Sequence, residues 1–361
     1  MNILVVCRPL VFHGGVERAT EGLLRALVEH GDEVELLTPG RDPHLRGVAH
    51  RRLVLPPSPP AVRPLILAAA VARVRRRGAW DVVQSHERTL SQDVYRAGEG
   101  CHRAWLAARA RKSRGVYNRL VLALERRVFA GTPKIVAIAR AGKAEIERLY
   151  GVPGGRVHVV YNGVDLARFD RAVASRASAR AEAGIPSDAH VLLFVGSGFE
   201  RKGLATAIEA LAKVAPPARL LVIGKGDVAA YRVLAGRLGI TDRIAWLGAR
   251  PDVERWYAAA DVAVLPTIYE PFGNVHLEAL AAGIPIVTTT CAGGAEVVSD
   301  ACGAVVGPHD AGAVAGGVER LRTVPAEGLR DACRAAAAPF TYAAQALALH
   351  LVYRSPNTEV P

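Results

Sequence analysis

Glu270 and Glu278 stand eight positions apart in EPFGNVHLEALAAGIPIV (Glu270–Val287), a stretch otherwise mostly apolar. Carboxylates are costly in such company unless they have partners. Pro271, Phe272 and Gly273 can start a helix, with Asn274 behind them, whose free N–H groups would face a diphosphate. Glu270 lies just before it, placed to accept hydrogen bonds from sugar hydroxyls. Glu278 lies two turns in, placed to hold a ribose through its vicinal hydroxyls, as acidic residues do in nucleotide folds. The other reading is a pair of helix-end glutamates on a surface. It fits poorly with the core strands expected on either side, VAVLPT and IPIVTTT.

Two further stretches suit an anion. In GSGFERKG (Gly196–Gly203) a strand ends at Gly196 and the cations Arg201 and Lys202 stand at the mouth of the next helix. The helix dipole disfavours cations there unless an anion neutralises them. In FHGGVER (Phe12–Arg18), Gly14 and Gly15 would let backbone N–H groups approach an anion or sugar where a helix begins. An ordinary turn is the other reading of that loop.

What is missing narrows the chemistry. There is no GxGxxG after a strand, no P-loop, no H-E-x-x-H and no Gly-x-Ser-x-Gly. There is also no Asp-x-Asp to hold a metal against a diphosphate. Phosphate chemistry without a metal or other cofactor remains, with cations and helix N-termini holding the charge. Five scattered cysteines lack metal-ligand spacing and suit a reducing compartment. The N-terminus reads as a buried first strand rather than a secretion signal, and the longest apolar run, LILAAAVA, is too short to span a bilayer. A cytoplasmic protein is expected.

The elements that must position these residues follow from the apolar pattern. ILVV, EVELLT, DVVQSH, KIVAIA and VHVVYNG read as strands of a first half. VLLFVGS, ARLLVIGKG, RIAWLGA, VAVLPT and IPIVTTT read as strands of a second, with helices alternating throughout. That alternation implies an α/β chain of two doubly wound parallel sheets, with a ligand cleft between the domains. Charge divides at the same place. Residues 1–165 hold 27 basic against 15 acidic side chains and residues 166–361 hold 19 against 19, so the first half carries all of the net +12. An anionic partner for that half accounts for the asymmetry, as does an arginine-rich proteome.

Taken together, Glu270-x7-Glu278, the Arg201/Lys202 pair, the Gly14-Gly15 loop and the AGIP that follows resemble the GT-B retaining glycosyltransferases of family 4. Within that family, QDVYRAGEGCHRAWL (Gln92–Leu106) and GSGFERKG are similar to the glucosyltransferases of the lipopolysaccharide core. The resemblance implies the GT-B fold of two Rossmann-like domains. The acceptor domain would span 1–165 plus a C-terminal crossover at about 338–354, and the nucleotide-sugar domain 166–337. It implies a UDP-glucose donor, an inner-core heptose acceptor and an α-linked product. Glu270 would contact the donor sugar, Glu278 the ribose, Arg201 and Lys202 the diphosphate, and Gly15 would close over the donor. Asp93 matches an acidic residue near the reacting centre, with His102 or Glu99 as neighbours, although Asp-Gly is commoner than Glu99-Gly100. By its residue type and place Asp93 can equally be an N-cap or turn aspartate. Front-face and double-displacement mechanisms are both open.

A lipid-anchored acceptor needs a membrane contact at the inner face of the cytoplasmic membrane. His102–Phe129 holds eight basic residues and one acidic residue, with Trp105, and Tyr117, Leu120, Leu124 and Val128 at helical spacing. It reads as a basic amphipathic segment on anionic lipid, or as a core-facing helix with solvated arginines. Nucleic acid is not an expected partner, because the basic half lacks interleaved aromatics and any recognisable module.

Overall fold

The computed structural model describes residues 1–10, 14–109 and 115–357. It divides into two compact units, Met1–Gly163 with Tyr342–Pro361, and Val164–Thr341. Each is a parallel sheet covered by helices, so its strands can be apolar on both faces.

In the first unit the strands are β1 (Asn2–Val6), β2 (Glu33–Thr38), β3 (Val48–Arg52), β4 (Val82–Ser85), β5 (Val94–Arg96), β6 (Lys134–Ala137) and β7 (Val157–Val159), in the order β3-β2-β1-β4-β5-β6-β7. Ile3 to Val6 are fully buried. One face of β1 packs under the helix Gly15–Glu29, through Leu23, Leu24 and Leu27, and under the helix Tyr342–Arg354, through Leu349 and Val352. Three strands were not legible in the apolar pattern. β3 is VAHRR, a half-exposed edge carrying two arginines, and β5 is three residues long. The third, β13, lies in the second unit.

The second unit has β8 (His190–Val195), β9 (Ala218–Ile223), β10 (Ile244–Gly248), β11 (Val262–Leu265), β12 (Ile286–Thr289) and β13 (Gly303–Val306), in the order β10-β9-β8-β11-β12-β13. In both sheets the first strand lies inside, so strand order reverses beside it: between β1 and β4, and between β8 and β11. Loops leaving the C-terminal ends of those strands splay apart, and such crevices bind ligands in open α/β sheets. Within this unit the first and last residues meet. Val164 bridges Thr341, and the Val164 N–H donates to the Phe340 carbonyl at 2.8 Å. In the first unit the Gly163 N–H donates to Gln345 Oε1 on the C-terminal helix at 3.0 Å. Among the described residues no helix is long and apolar enough to cross a membrane.

Candidate active site

The second unit gathers its charged residues after β8 and β11. The chain leaves β8 through Gly196 into the short helix Phe199–Lys202, breaks at Gly203, and continues as the helix Leu204–Lys213. The stretch thus forms two helices, divided where Gly203 takes a left-handed φ of 76°. Arg201 and Lys202 end the first helix, where its dipole favours cations. Gly196 serves Lys202: a Cβ there would lie 2.2 Å from Lys202 Cδ, so only glycine lets the lysine stem pass.

Glu270 is the anion those cations need. It is 8% exposed, and its two carboxylate oxygens lie 2.7 Å from Lys202 Nζ and 3.1 Å from an Arg201 Nη1. Burial alone would raise its pKa, but Lys202 and then Arg201 outweigh that and bring it down to about 2. Its backbone is pinned as well. The N–H donates to the Cys291 carbonyl at 3.0 Å, and the carbonyl accepts from the Gly293 N–H at 2.8 Å.

The turn after Glu270 corrects the expected helix start. Phe272 is fully buried, Gly273 has a φ of 83°, Asn274 caps, and the helix runs only from Val275 to Ala281. Glu278 therefore lies one turn in, not two. Its Oε2 accepts a 2.8 Å hydrogen bond from the hydroxyl of Tyr257, a fully buried residue of the helix Val253–Ala259, which leaves the carboxylate half-exposed and fixed. With a seven-residue helix behind it, charge at this edge rests mainly on Arg201 and Lys202.

In the first unit Gly14 caps the helix Gly15–Glu29, and a Cβ on it would meet Glu17 Oε2 at 2.5 Å. Phe12 and His13 of the same loop lie outside the described residues. Asp93 requires a correction. It precedes β5 at the N-terminal end of the strand, where its carboxylate accepts from the Val83 N–H at 2.8 Å and pairs with Arg75 at 2.5 Å. That is the edge opposite the crevice, and the partners its carboxylate has there hold the start of a strand. His102 begins the helix His102–Ala108 and is engaged with Asn118 at 3.0 Å and, through its N–H, with Glu125 at 2.8 Å.

Glu99 does stand at the crevice edge. Arg8 follows β1, Glu87 and Arg88 follow β4, and Glu99 follows β5. Arg8 bonds Glu87 at 3.0 Å and also pairs with Glu99, and Arg88 bonds Glu99 at 2.8 Å and the fully buried Glu125 at 3.0 Å. Burial opposes ionisation of Glu99, yet Arg8 and Arg88 hold its carboxyl below the usual range. The same burial raises Glu87. His86, 9% exposed beside them, is kept neutral by burial and by the charges of Arg96 and Arg8. Sequence reasoning passed over Arg8, His86, Glu87 and Arg88. Their signal is positional, since each directly follows an apolar strand that flanks the reversal of strand order.

Comparison with known proteins agrees with this architecture. Residues 13–168 match the model of Glycosyltransferase Family 4, and residues 175–338 match that of Glycosyl transferases group 1. A probable transglycosylase of Burkholderia thailandensis is 30% identical over 344 residues, covering 93% of this chain and 91% of that protein. The lipopolysaccharide glucosyltransferase WaaG of Escherichia coli is 31% identical over 229 residues, 59% of this chain and 60% of WaaG. The crystal structure of WaaG, a glycosyltransferase involved in lipopolysaccharide biosynthesis, superimposes with a TM-score of 0.82 at 23% identity, over 98% of this chain and 100% of that one. Anabaena HepE, solved in complex with UDP-glucose, gives 0.75 at 17% identity, over 97% of this chain and 98% of that one. The chain belongs to the GT-B glycosyltransferases, with a family 4 first half and a group 1 second half.

Proposed function

We propose that the chain transfers glucose from UDP-glucose to a heptose of the lipopolysaccharide inner core, with retention at the anomeric carbon. The observation that carries this is the buried carboxylate of Glu270 held by both Lys202 and Arg201 at the crevice edge, eight residues before a fixed Glu278. The likeness to WaaG supports the acceptor, and a fold neighbour solved with UDP-glucose supports the donor. In the transfer the bond from the anomeric carbon to the β-phosphate oxygen breaks, one to the acceptor oxygen forms, the acceptor hydroxyl's proton passes to solvent, and UDP leaves with the bonding electrons and the extra negative charge. Lys202 and Arg201 meet that charge, Glu270 orients them and the sugar, and Glu278 holds the ribose. Glu99, between Arg8 and Arg88, replaces Asp93 as the acceptor-side carboxylate. No metal is required in this scheme, because two cations stand where an Asp-x-Asp site would otherwise bring one.

Purified protein given UDP-glucose should release UDP, faster with a heptose-containing core acceptor, and EDTA should leave the rate unchanged. Lys202→Ala should lower turnover by about 10²–10³-fold, the usual cost of one preorganised charge contact. Glu278→Ala should chiefly weaken UDP binding in calorimetry. Equal UDP affinity in Glu278→Ala and the parent would end the ribose assignment, and metal-dependent turnover would end the scheme for the diphosphate.

A further inference from the structure

We propose that His276 is a positioning residue for the sugar-transfer step, an imidazole brace that holds the turn bearing Glu270 in its working shape. The proposal rests on the reading of Glu270 given above. His276 is the second residue of the helix Val275–Ala281 and is fully buried. Its Nδ1 lies 2.7 Å from the Gly273 carbonyl oxygen and its Nε2 2.8 Å from Thr288 Oγ1 on β12. A carbonyl only accepts, so Nδ1 carries the proton and Nε2 is the acceptor. The Thr288 hydroxyl has a single hydrogen, which it gives to Nε2 at 2.8 Å in preference to the Leu265 carbonyl at 3.2 Å. The imidazole thus spans from the sheet to the turn, tied at both nitrogens. The Gly273 carbonyl receives a second donor, the His276 backbone N–H at 3.0 Å.

The turn it supports is packed without slack. A Cβ on Gly273 would fall 2.9 Å from Glu270 Cγ and 3.1 Å from His276 Nδ1, so glutamate, glycine and imidazole lie in direct succession. On the other side Gly294 donates to the Phe272 carbonyl at 2.8 Å, and a Cβ there would lie 2.4 Å from His276 Nδ1. His276 makes no hydrogen bond to the Glu270 carboxylate and acts on it through the backbone of the turn. Burial, opposed by the Gly273 bond and the charge of Glu270, keeps its pKa down at about 4, so the acceptor lone pair on Nε2 survives at neutral pH. Losing the brace would let Glu270 drift, and with it the two cations that Glu270 orients.

Two substitutions separate the two bonds. In His276→Asn the amide falls near Nδ1 and can still donate to Gly273. In His276→Gln it reaches the position of Nε2 and can bond only Thr288. UDP-glucose hydrolysis by His276→Asn should stay within about threefold of the parent, whereas in His276→Gln kcat should fall by about 10–100-fold, the scale of a misplaced catalytic group. UDP affinity, set by Glu278 and Tyr257, should stay within about twofold in both. Equal kcat in the two variants, or losses that follow their melting temperatures, would overturn the proposal. If His276→Gln does not fold, Thr288→Val, which like His276→Asn loses the bond at Nε2 and keeps the one to Gly273, should hold kcat within about threefold; a loss of kcat of about 10-fold there at constant UDP affinity overturns the proposal. Glu270→Ala is measured beside them. If it retains activity, the reading of Glu270 fails; if it loses activity while His276→Gln does not, only the brace fails.

Discussion

Before any substrate arrives, Glu270 is already paired with Lys202 and Arg201, and this makes the site sensitive to acid. A carboxyl whose pKa drops on folding stabilises the folded chain above its unfolded value. That contribution disappears as pH falls from about 4.5 to about 2, roughly 3 kcal/mol in all. His276 acts earlier. The folded chain resists protonating it, so stability falls as the unfolded chain takes up protons from pH 6.5 down to about 4. Urea midpoints should therefore decline between pH 6.5 and 4, and His276→Asn should flatten that decline while the steeper loss below 4.5 remains. Superimposed curves would mean that His276 is not held neutral by burial. Asp93 gives the opposite kind of test. Asp93→Ala strips the Val83 N–H of its acceptor and Arg75 of its partner, and should cost about 1–3 kcal/mol of stability. Its kcat should stay within severalfold of the parent, and a large loss of kcat at unchanged stability would return Asp93 to the reaction.

Among the elements, those with a long apolar run were readable in the chain and the others were not. β1, β2, β4 and β6 to β12 follow from apolar runs such as ILVV and VLLFV that only a sheet covered on both faces can bury, whereas β3, β5 and β13 do not. β5 is short enough for its period to vanish, so Asp93, taken by resemblance as an acidic residue near the reacting centre, had no strand of its own to place it. The motif Glu270-x7-Glu278 is local and shows in spacing. Its pairing with Lys202, 68 residues away, does not, so the anion the chain itself supplies to the two cations was not legible. The helix Val116–Gly131 divides similarly. Leu124 and Val128 are buried as the helical spacing implies, but Tyr117 is exposed and the buried face continues through Val121 and Phe129. The C-terminal helix Tyr342–Arg354 returns to the first unit, where His350 bonds Asp32 at 2.6 Å and Lys134 donates to the Tyr353 carbonyl at 2.9 Å. Ending the chain at Thr341 would uncover the pocket of Leu349, Val352 and Tyr353, each contributing about 1.5–3 kcal/mol when buried. That sum rivals the stability of a whole domain. The truncated protein should show one fewer unfolding transition by calorimetry while still binding UDP.

At the scale of the molecule, the net +12 is confined to the first half, the half proposed to take the acceptor. The proposed acceptor sits on a membrane, and the start of the helix Val116–Gly131 exposes Val116 and Tyr117 by 65% and 47%. Arg109 stacks over Trp105 at 5.4 Å; Arg111, Lys112 and Arg114 lie outside the described residues. Changing all four cations to Gln should release the protein from phosphatidylglycerol-rich vesicles at unchanged UDP affinity, since each cation near such a surface contributes about 1 kcal/mol. Equal sedimentation of variant and parent would remove this segment as the contact. The pairing of Val164 with Thr341 has a different consequence. A body whose two ends meet is a cassette, and recombination can replace it with two cuts at one place in space, leaving the sheet that receives it covalently whole after rejoining. On the proposed division of labour, donor preference then changes in a single genetic exchange while the acceptor half stays as it was. Residues 164–341 made alone should fold and bind UDP as the intact chain does, and a relative's segment spliced at Gly163 and Tyr342 should bring its own nucleotide preference with it.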